Sequence, residues 1–452
     1  MEIQKDINFR DRFLEIYSTV KAKYKEKRAF DKNYDSLRIE SIDFIRGIMV
    51  IITIFLICQG LETNIDKIFM ISNWNGISVA DIVLPFFLLI MGMSVPFYIK
   101  KHHQDGRLVA EIAKKVVLRS LILFVIGVVY SIVFLNSKSQ VRLTGPYQLI
   151  AINYLICTLI YLGFLKIKVK NNALTYIFIG LGTFITAIFT VIAFKNGFKM
   201  ENNIFYLIDK SVLKGFSSSS PSDSEGVLAC FAAIPLTMYG LAIGCILNKK
   251  PVENKKYIRY RRPHKLMKDG FSKENLKDDF KNFFTVKSIK SLFSNYYRLN
   301  NEAKKIANLL LLGIIFYVCS KVMQIWIPLN RNVFSITFVM RTASYMFFIE
   351  NICYILFDII KLEFGTALIK RIGQNALLVI LGISIINGLI NLIKIKSIYT
   401  GKWMNLNNWF TTDFILPIFG MDRASSAYAL AMTVFWVLVL NLLEKYDIKI
   451  GV

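Results

Sequence analysis

Several carboxylates in this sequence stand where a polar stretch meets a long apolar run. A carboxylate that is withdrawn from water has a raised pKa and can act as a general base near neutral pH. The candidate bases are Asp81, Asp223 and Glu225. Indole, amide and guanidinium groups that could bind a polar substrate stand at similar positions. The candidate binding residues are Trp74, Asn75, Arg142, Gln148, Arg331 and Arg341.

Two of these carboxylates also have a structural interpretation. Ser78 and Asp81 have the S-x-x-D spacing of a capping box, and Ser222 and Glu225 repeat it. Asn75 and the glycine after it form an ordinary turn dipeptide. The spacing therefore leaves two interpretations open, a reactive group or a helix start.

Long apolar runs must position these residues. The chain has 452 residues, 54% of them hydrophobic, and a run of about 18 apolar residues spans a bilayer. We predict an all-α, polytopic integral membrane bundle of about ten transmembrane helices. The runs are 42–60, 80–99, 115–135, 146–165, 173–194, 226–247, 306–327, 333–360, 374–393 and 424–443. The segment from Trp403 to Phe419 could add a re-entrant or interfacial piece.

The net charge of +25 is spread unevenly along the chain. Lys and Arg concentrate before the first run, after the second and fourth, and between residues 249 and 305, so the positive-inside rule predicts cytoplasmic termini in a multi-pass protein of the cell membrane. We predict a basic N-terminal segment (1–41), six spans (42–247), a cytoplasmic basic insert (248–305) and four spans (306–452). The insert is either a lipid-binding amphipathic element or a solvated linker. We expect no nucleic-acid partner, because no nucleic-acid module is present.

Two ionisable residues interrupt the apolar length of the eighth run. Arg341 and Glu350 are nine positions apart, which is two and a half helical turns, so they point to opposite faces. Such residues at membrane depth are costly and suggest function, although snorkelling and structural pairing are the alternatives. No metal site is predicted, because the chain has only three histidines and its six cysteines all lie in apolar runs.

Several stretches of the sequence resemble the motifs of one protein family and follow one another in the same order. They include "SIDFIRGIMVIITIFLICQG", "WNGISVADIVLPFFLLIMGMSV", "RLTGPYQLIAINYL", "SDSEGVLACFAAIPL" and "IPLNRNVFSITFV". From about residue 38 onward, outside most of 249–305, the chain resembles the membrane acetyltransferases related to heparan-alpha-glucosaminide N-acetyltransferase and their bacterial relatives. The resemblance implies acetyl-CoA as a co-substrate on the cytoplasmic side. It also implies an amino sugar or envelope glycan as the acceptor across the membrane.

The resemblance also suggests a role for two residues at the start of the first predicted run. Asp43 and Arg46 are three apart, so they share a helix face and can pair. Arg46 is the candidate for binding the phosphates of acyl-CoA, since guanidinium groups pair readily with phosphate. Membrane lipid is an expected partner, and a homodimer is compatible with the chain.

The chain departs from the family pattern at the positions where catalysis is expected. The family's extracytoplasmic histidine is here Ile71, its asparagine pair is Ile57 and Cys58, and its arginine after Gln148 is Leu149. An isoleucine can neither accept a proton nor carry an acyl group. The alternative function is therefore a catalytically lapsed member that binds or transports a polar solute or glycan.

Overall fold

Helices form almost all of the chain that the structure describes. This computed structural model describes residues 39–61, 65–104, 107–134, 143–195, 198–200, 203–213, 224–248, 301–360, 362 and 366–445. The elements in chain order are α1 (Glu40–Ile57), α2 (Val79–Gln104), α3 (Val109–Phe134), α4 (Pro146–Lys166), α5 (Asn171–Phe194), α6 (Ile204–Leu213), α7 (Val227–Ala232), α8 (Ile234–Leu247), α9 (Asn301–Met323), α10 (Ile336–Cys353), α11 (Ala367–Gln374), α12 (Ala376–Leu392), β1 (Lys394–Lys396), β2 (Trp403–Asn405), α13 (Leu406–Phe410), α14 (Leu416–Phe419) and α15 (Met421–Lys445). Single π-helical segments extend α10 (Tyr354–Ile359) and follow α13 (Thr411–Ile415).

The prediction of an all-α polytopic membrane bundle is confirmed. In the described part of the chain, eight helical segments are long and apolar enough to cross a bilayer. A ninth span results if the pair α11 and α12, bent by 81°, is counted as one. The first predicted run corresponds to α1, which has 18 residues and carries Glu40, Asp43 and Arg46 in its first two turns.

Small residues bring α2 and α8 into close contact at the centre of the bundle. Gly240 and Gly244 form a G-x-x-x-G pattern on α8, which lets two helix backbones approach. A Cβ atom on Gly240 would lie 3.0 Å from the Cα atom of Gly92 on α2. Every residue of α8 is buried, so this helix forms the bundle core.

The first helix is held from the side by the second half of the chain. The carboxylate of Asp358 accepts hydrogen bonds from the backbone N–H groups of Glu40 (2.9 Å) and Ser41 (3.1 Å). These two groups have no partner within the helix, so Asp358 caps the start of α1. The amphipathic α11 packs across α1 where Gly47 and Gly373 leave room for its backbone.

Successive spans alternate in direction, which defines two ends of the bundle. We call the end at which Trp74, Asn75 and Gly76 lie the WNG end; α2, α4, α7, α10 and α15 begin there. The end at which α1 begins is the opposite end. Which end faces the cytoplasm stays a prediction. The N-terminal segment and most of the basic insert lie outside the described residues.

A short β-hairpin lies at the WNG end between α12 and α15. The strands β1 and β2 pair antiparallel, with Lys396 opposite Trp403. The carboxylate of Asp413 accepts hydrogen bonds from the hydroxyl of Ser397 (2.6 Å) and the backbone N–H of Ile398 (2.8 Å). Asp413 thereby fixes the hairpin turn to the segment that precedes α15.

Candidate functional site

The side chains of the W-N-G motif tie together loops that are distant in sequence. The indole N–H of Trp74 donates to the backbone oxygen of Phe198 (2.8 Å), and the two rings are 5.9 Å apart. The side-chain oxygen of Asn75 accepts from the amide of Asn330 (3.3 Å). The motif thus joins the loop before α2 to the loop after α5 and to the loop before α10.

Gly76 completes this junction and explains why the motif ends in glycine. Its backbone N–H donates to the carbonyl oxygen of Leu329 (2.8 Å). Its φ of +136° is a conformation that residues with a side chain rarely adopt. The turn dipeptide predicted from the sequence is therefore also a contact between two loops.

A buried ion pair lies next to this junction. The Nη2 atom of Arg331, the residue after Asn330, is 3.5 Å from the Oε1 atom of Glu225. Both side chains are buried, and no acceptor among the described residues lies within hydrogen-bond distance of the Nε atom of Arg331. A fixed guanidinium with a spare donor can bind an oxygen of a substrate, and the carboxylate beside it can accept a proton.

The carboxylate of Asp209 starts the helix that follows Glu225. It accepts a hydrogen bond from the backbone N–H of Val227 (2.8 Å). A Cβ atom on Gly226 would lie 2.7 Å from the Oδ1 atom of Asp209, so only glycine fits here against the side chain of Asp209. Asp209 was not predicted from the sequence, because nothing in a short amphipathic helix indicates that its acidic residue caps another helix.

The carboxylate of Asp81 is occupied by its own loop. It accepts from the hydroxyl of Ser72 (2.6 Å), and from the backbone N–H (2.9 Å) and hydroxyl (3.0 Å) of Ser78. The backbone N–H of Asp81 donates in return to the hydroxyl of Ser78 (3.2 Å), which completes a capping box. Asp81 is fully buried. This geometry favours the structural interpretation of Asp81 over a role as base.

Gln148 lies apart from these contacts, against the neighbouring helix α3. A Cβ atom on Gly127 would come within 2.7 Å of its side-chain oxygen. Its amide nitrogen is buried and has no hydrogen-bond partner among the described residues. Arg142 and Asp223, the remaining candidates of this group, lie outside the described residues.

Arg341 contacts helix α9 rather than the W-N-G motif. Its Nε atom donates to the hydroxyl of Ser320 (3.1 Å) and its Nη2 atom to the side-chain oxygen of Gln324 (3.0 Å). Glu350, further along the same span, is fully buried and accepts from the hydroxyl of Ser41 (2.7 Å) on α1. The two ionisable residues of the eighth run therefore have separate partners.

The guanidinium of Arg46 contacts polar groups of three elements towards the opposite end of the bundle. It donates to the carboxylate of Asp43 (3.1 Å), the hydroxyl of Ser94 (2.5 Å) and the carbonyl oxygen of Gly373 (3.3 Å). The pairing with Asp43 expected from their spacing is present. Arg46 stays partly exposed, so a phosphate could reach it only in competition with these partners.

An amide cluster lies where α1 ends. The amide of Asn407 donates to the side-chain oxygens of Asn387 (2.7 Å) and Asn391 (2.8 Å), and its oxygen accepts from the hydroxyl of Tyr428 (2.7 Å). Asn387 in turn donates to the carbonyl oxygen of Ile57 (3.3 Å). Sequence reasoning missed this cluster, because its members come from three separate elements of the last eighty residues.

Three of the four positions at which the sequence predicts a departure from the family pattern lie near these groups. Ile71, which is predicted to stand at the family's histidine position, is exposed just before Ser72, the residue that contacts Asp81. Ile57 contributes only its backbone oxygen to the amide cluster. Cys58 is buried at the end of α1.

Two curated proteins are similar to this chain. Heparan-alpha-glucosaminide N-acetyltransferase of Mus musculus is 26% identical over 368 residues, which are 76% of this chain and 53% of that protein. The protein of the same name in Homo sapiens is 32% identical over 135 residues, which are 28% of this chain and 20% of that protein. No family model matches the chain.

These similarities confirm the relationship that the motifs predicted. The chain spans about half the length of the mouse protein that it matches. The shared part therefore supports a relationship to membrane acetyltransferases. The activity of the whole mouse protein comes to this chain only as a proposal.

Proposed function

We propose that this chain, as a relative of membrane acetyltransferases, passes an acetyl group from cytoplasmic acetyl-CoA to an amino sugar or envelope glycan at the WNG end. In this proposal Arg46 helps to hold the phosphates of acetyl-CoA towards the opposite end. The acceptor lies at the junction of the W-N-G motif and the loop that contains Asn330. The predicted orientation would place that junction outside the cytoplasm.

The observation that carries this proposal is the buried pair of Arg331 and Glu225 beside the W-N-G motif. Glu225 would accept the proton that the acceptor amine loses as its nitrogen attacks the acetyl carbonyl. The Nε atom of Arg331 would donate to an oxygen of the acceptor, or to the oxyanion that develops on the acetyl group. The thiolate of coenzyme A would leave and take up a proton. This route needs no acyl carrier on the protein, which fits the isoleucine at position 71.

A second candidate function is a lapsed enzyme that binds or moves a polar solute or glycan. The sequence pattern that favours it is the predicted joint replacement of the family's catalytic positions by Ile71, Ile57 and Cys58. An exposed isoleucine supplies no proton acceptor at the place where the family's histidine stands.

Acetyl transfer by the purified protein tests the proposal directly. The protein in detergent is incubated with acetyl-CoA that is radiolabelled in the acetyl group and with glucosamine as the acceptor. We expect labelled N-acetylglucosamine from the unchanged protein and a rate lower by about a hundredfold for Glu225→Gln, since a general base contributes at least that much. Asp66→Asn, a change of an exposed carboxylate at the same end, is the matched control.

Binding measurements separate the two candidate functions. Calorimetry with acetyl-CoA reports donor binding whether or not transfer follows. An enzyme should both bind acetyl-CoA and transfer the acetyl group. If neither acetyl-CoA binding nor acetyl transfer is observed, the acyltransferase proposal is overturned and the lapsed function is left. Binding of glucosamine without acetyl-CoA binding would support that second function.

A further inference from the structure

Arg341 is a buried cation whose hydrogen-bond partners in the described part of the chain are all neutral. It lies five residues into α10 from the WNG end, and only 4% of its surface is exposed. Its guanidinium donates to Ser320 and Gln324, and it stacks over the ring of Tyr317 at 4.9 Å. These contacts fix the orientation of the guanidinium without neutralising its charge.

A second cation flanks the same ring. The Nζ atom of Lys321 is 5.9 Å from the centre of the ring of Tyr317, so Lys321 and Arg341 both lie within 6 Å of the same ring. Among the residues that the structure describes, no carboxylate lies within ion-pair distance of either cation. A charge that is buried without a counterion is costly, so an anion supplied from outside the chain would stabilise this arrangement.

The surface around the two cations exposes apolar side chains, as expected of a surface that faces lipid. The last turns of α9 and the residues directly after it expose large apolar side chains near Lys321. They are Val318, Val322, Ile325 and Trp326. Tryptophan is typical of the depth at which lipid headgroups begin, and α9 ends there at Met323.

We propose that Arg341 and Lys321 bind the phosphate of an anionic lipid headgroup at the WNG end, between α9 and α10. Guanidinium and ammonium groups pair readily with phosphate, and the exposed apolar side chains nearby would contact the acyl chains. The positive-inside rule does not account for these two cations, because it predicts lysine and arginine at the opposite end. The proposal is independent of the acyltransferase function.

Native mass spectrometry of the full chain tests lipid retention. The protein is exchanged into detergent with equal amounts of phosphatidylglycerol and phosphatidylcholine, and the retained lipids are counted. We expect a bound phosphatidylglycerol whose retention falls about tenfold in Lys321→Gln and in Arg341→Gln, since each change removes a charge-assisted contact. Lys195→Gln changes an exposed cation at the same end on α5 and should leave retention unchanged.

The exposed Lys321 keeps the test decisive if Arg341→Gln fails to fold. Equal retention of phosphatidylglycerol by the unchanged protein and by Lys321→Gln would overturn the proposal, as would equal retention of the two lipids. Thermal unfolding in detergent separates the sources of phosphate. Phosphatidylglycerol should raise the melting temperature of the unchanged protein more than that of Lys321→Gln. An equal rise with inorganic phosphate would overturn the assignment to a lipid.

Discussion

The guanidinium of Arg331 and the carboxylate of Glu225 meet at 3.5 Å across 106 positions of sequence. The contact joins the loop before α10 to the start of α7, beside the residue that holds Asn75. It therefore connects the two halves of the chain at the WNG end.

Breaking this pair from one side should destabilise the protein more than removing both charges. We expect Glu225→Gln to lower the free energy of unfolding by about 3 kcal/mol, because it leaves a buried guanidinium without its counter-charge. The double variant Glu225→Gln/Arg331→Met should recover part of that loss. Melting temperatures in detergent give the comparison, with Asp66→Asn as an exposed control. Additive losses in the double variant would show that the two side chains are not coupled.

Removing the carboxylate of Asp81 should affect folding more than transfer. In Asp81→Asn an amide nitrogen replaces one oxygen and faces the N–H donors of the loop, so we expect a loss of about 1–2 kcal/mol, as for a lost helix cap. The rate of acetyl transfer per folded molecule should stay within about twofold, because a cap is not a reacting group. A transfer rate that falls at least a hundredfold while the melting temperature is unchanged would make Asp81 the base instead.

The crossing of α2 and α8 should tolerate no side chain at Gly240. We expect Gly240→Ala to lower the free energy of unfolding by about 2 kcal/mol, because a Cβ atom there meets the backbone of Leu89 and Gly92. Gly180→Ala on α5 is the matched control, since a Cβ atom there would find open space. Chemical denaturation in mixed micelles compares the two. Equal free energies of unfolding for the two variants would show that the crossing is looser than its geometry indicates.

Acidification should loosen the hairpin only when Asp413 takes up a proton. Burial alone would raise the pKa of Asp413, but hydrogen bonds from Ser397 and Ile398 outweigh burial and lower it below its usual value. A lowered pKa stabilises the folded hairpin above the unfolded pKa, and that stability is lost as pH falls through the folded one. The protection of residues 394–405 from hydrogen exchange, relative to the intrinsic rate at each pH, should therefore persist above the unfolded pKa and be lost as pH falls through the lowered one. Asp413→Asn should exchange faster throughout, without this pH dependence, and identical profiles would refute the role of Asp413.

The apolar length of the runs made the membrane helices predictable. The bend between α11 and α12 was not predicted, because it depends on charged residues and on a contact with α1. A run of apolar residues must form an internally hydrogen-bonded helix in lipid, whatever its neighbours are. The segment α11–α12 bends because α11 carries Lys370 and Arg371 and packs across α1 at Gly47. That bend depends on a contact between distant parts of the chain, which apolar length does not encode.

Local chemistry made part of the site predictable. The capping box of Asp81 follows from a spacing of three residues, and the structure contains it. The pairing of Glu225 with Arg331 was not predicted, although both were candidates, because only the packed bundle brings their loops together. The same reason explains why Asp209 and the amide cluster around Asn407 were missed.

Replacing Ile71 by histidine should supply the group that the resemblance predicts at this position. Residue 71 is exposed at the WNG end and precedes Ser72, so an imidazole there would reach solvent beside the loop that Asp81 holds. We expect Ile71→His to raise the rate of acetyl transfer to glucosamine at least tenfold, because a positioned general base contributes roughly 10²–10⁴. Ile68→His places the same imidazole at another exposed position of this loop and controls for a histidine that acts from solution. If both variants transfer at the rate of the unchanged protein, position 71 no longer faces a working site, and the lapsed function gains support.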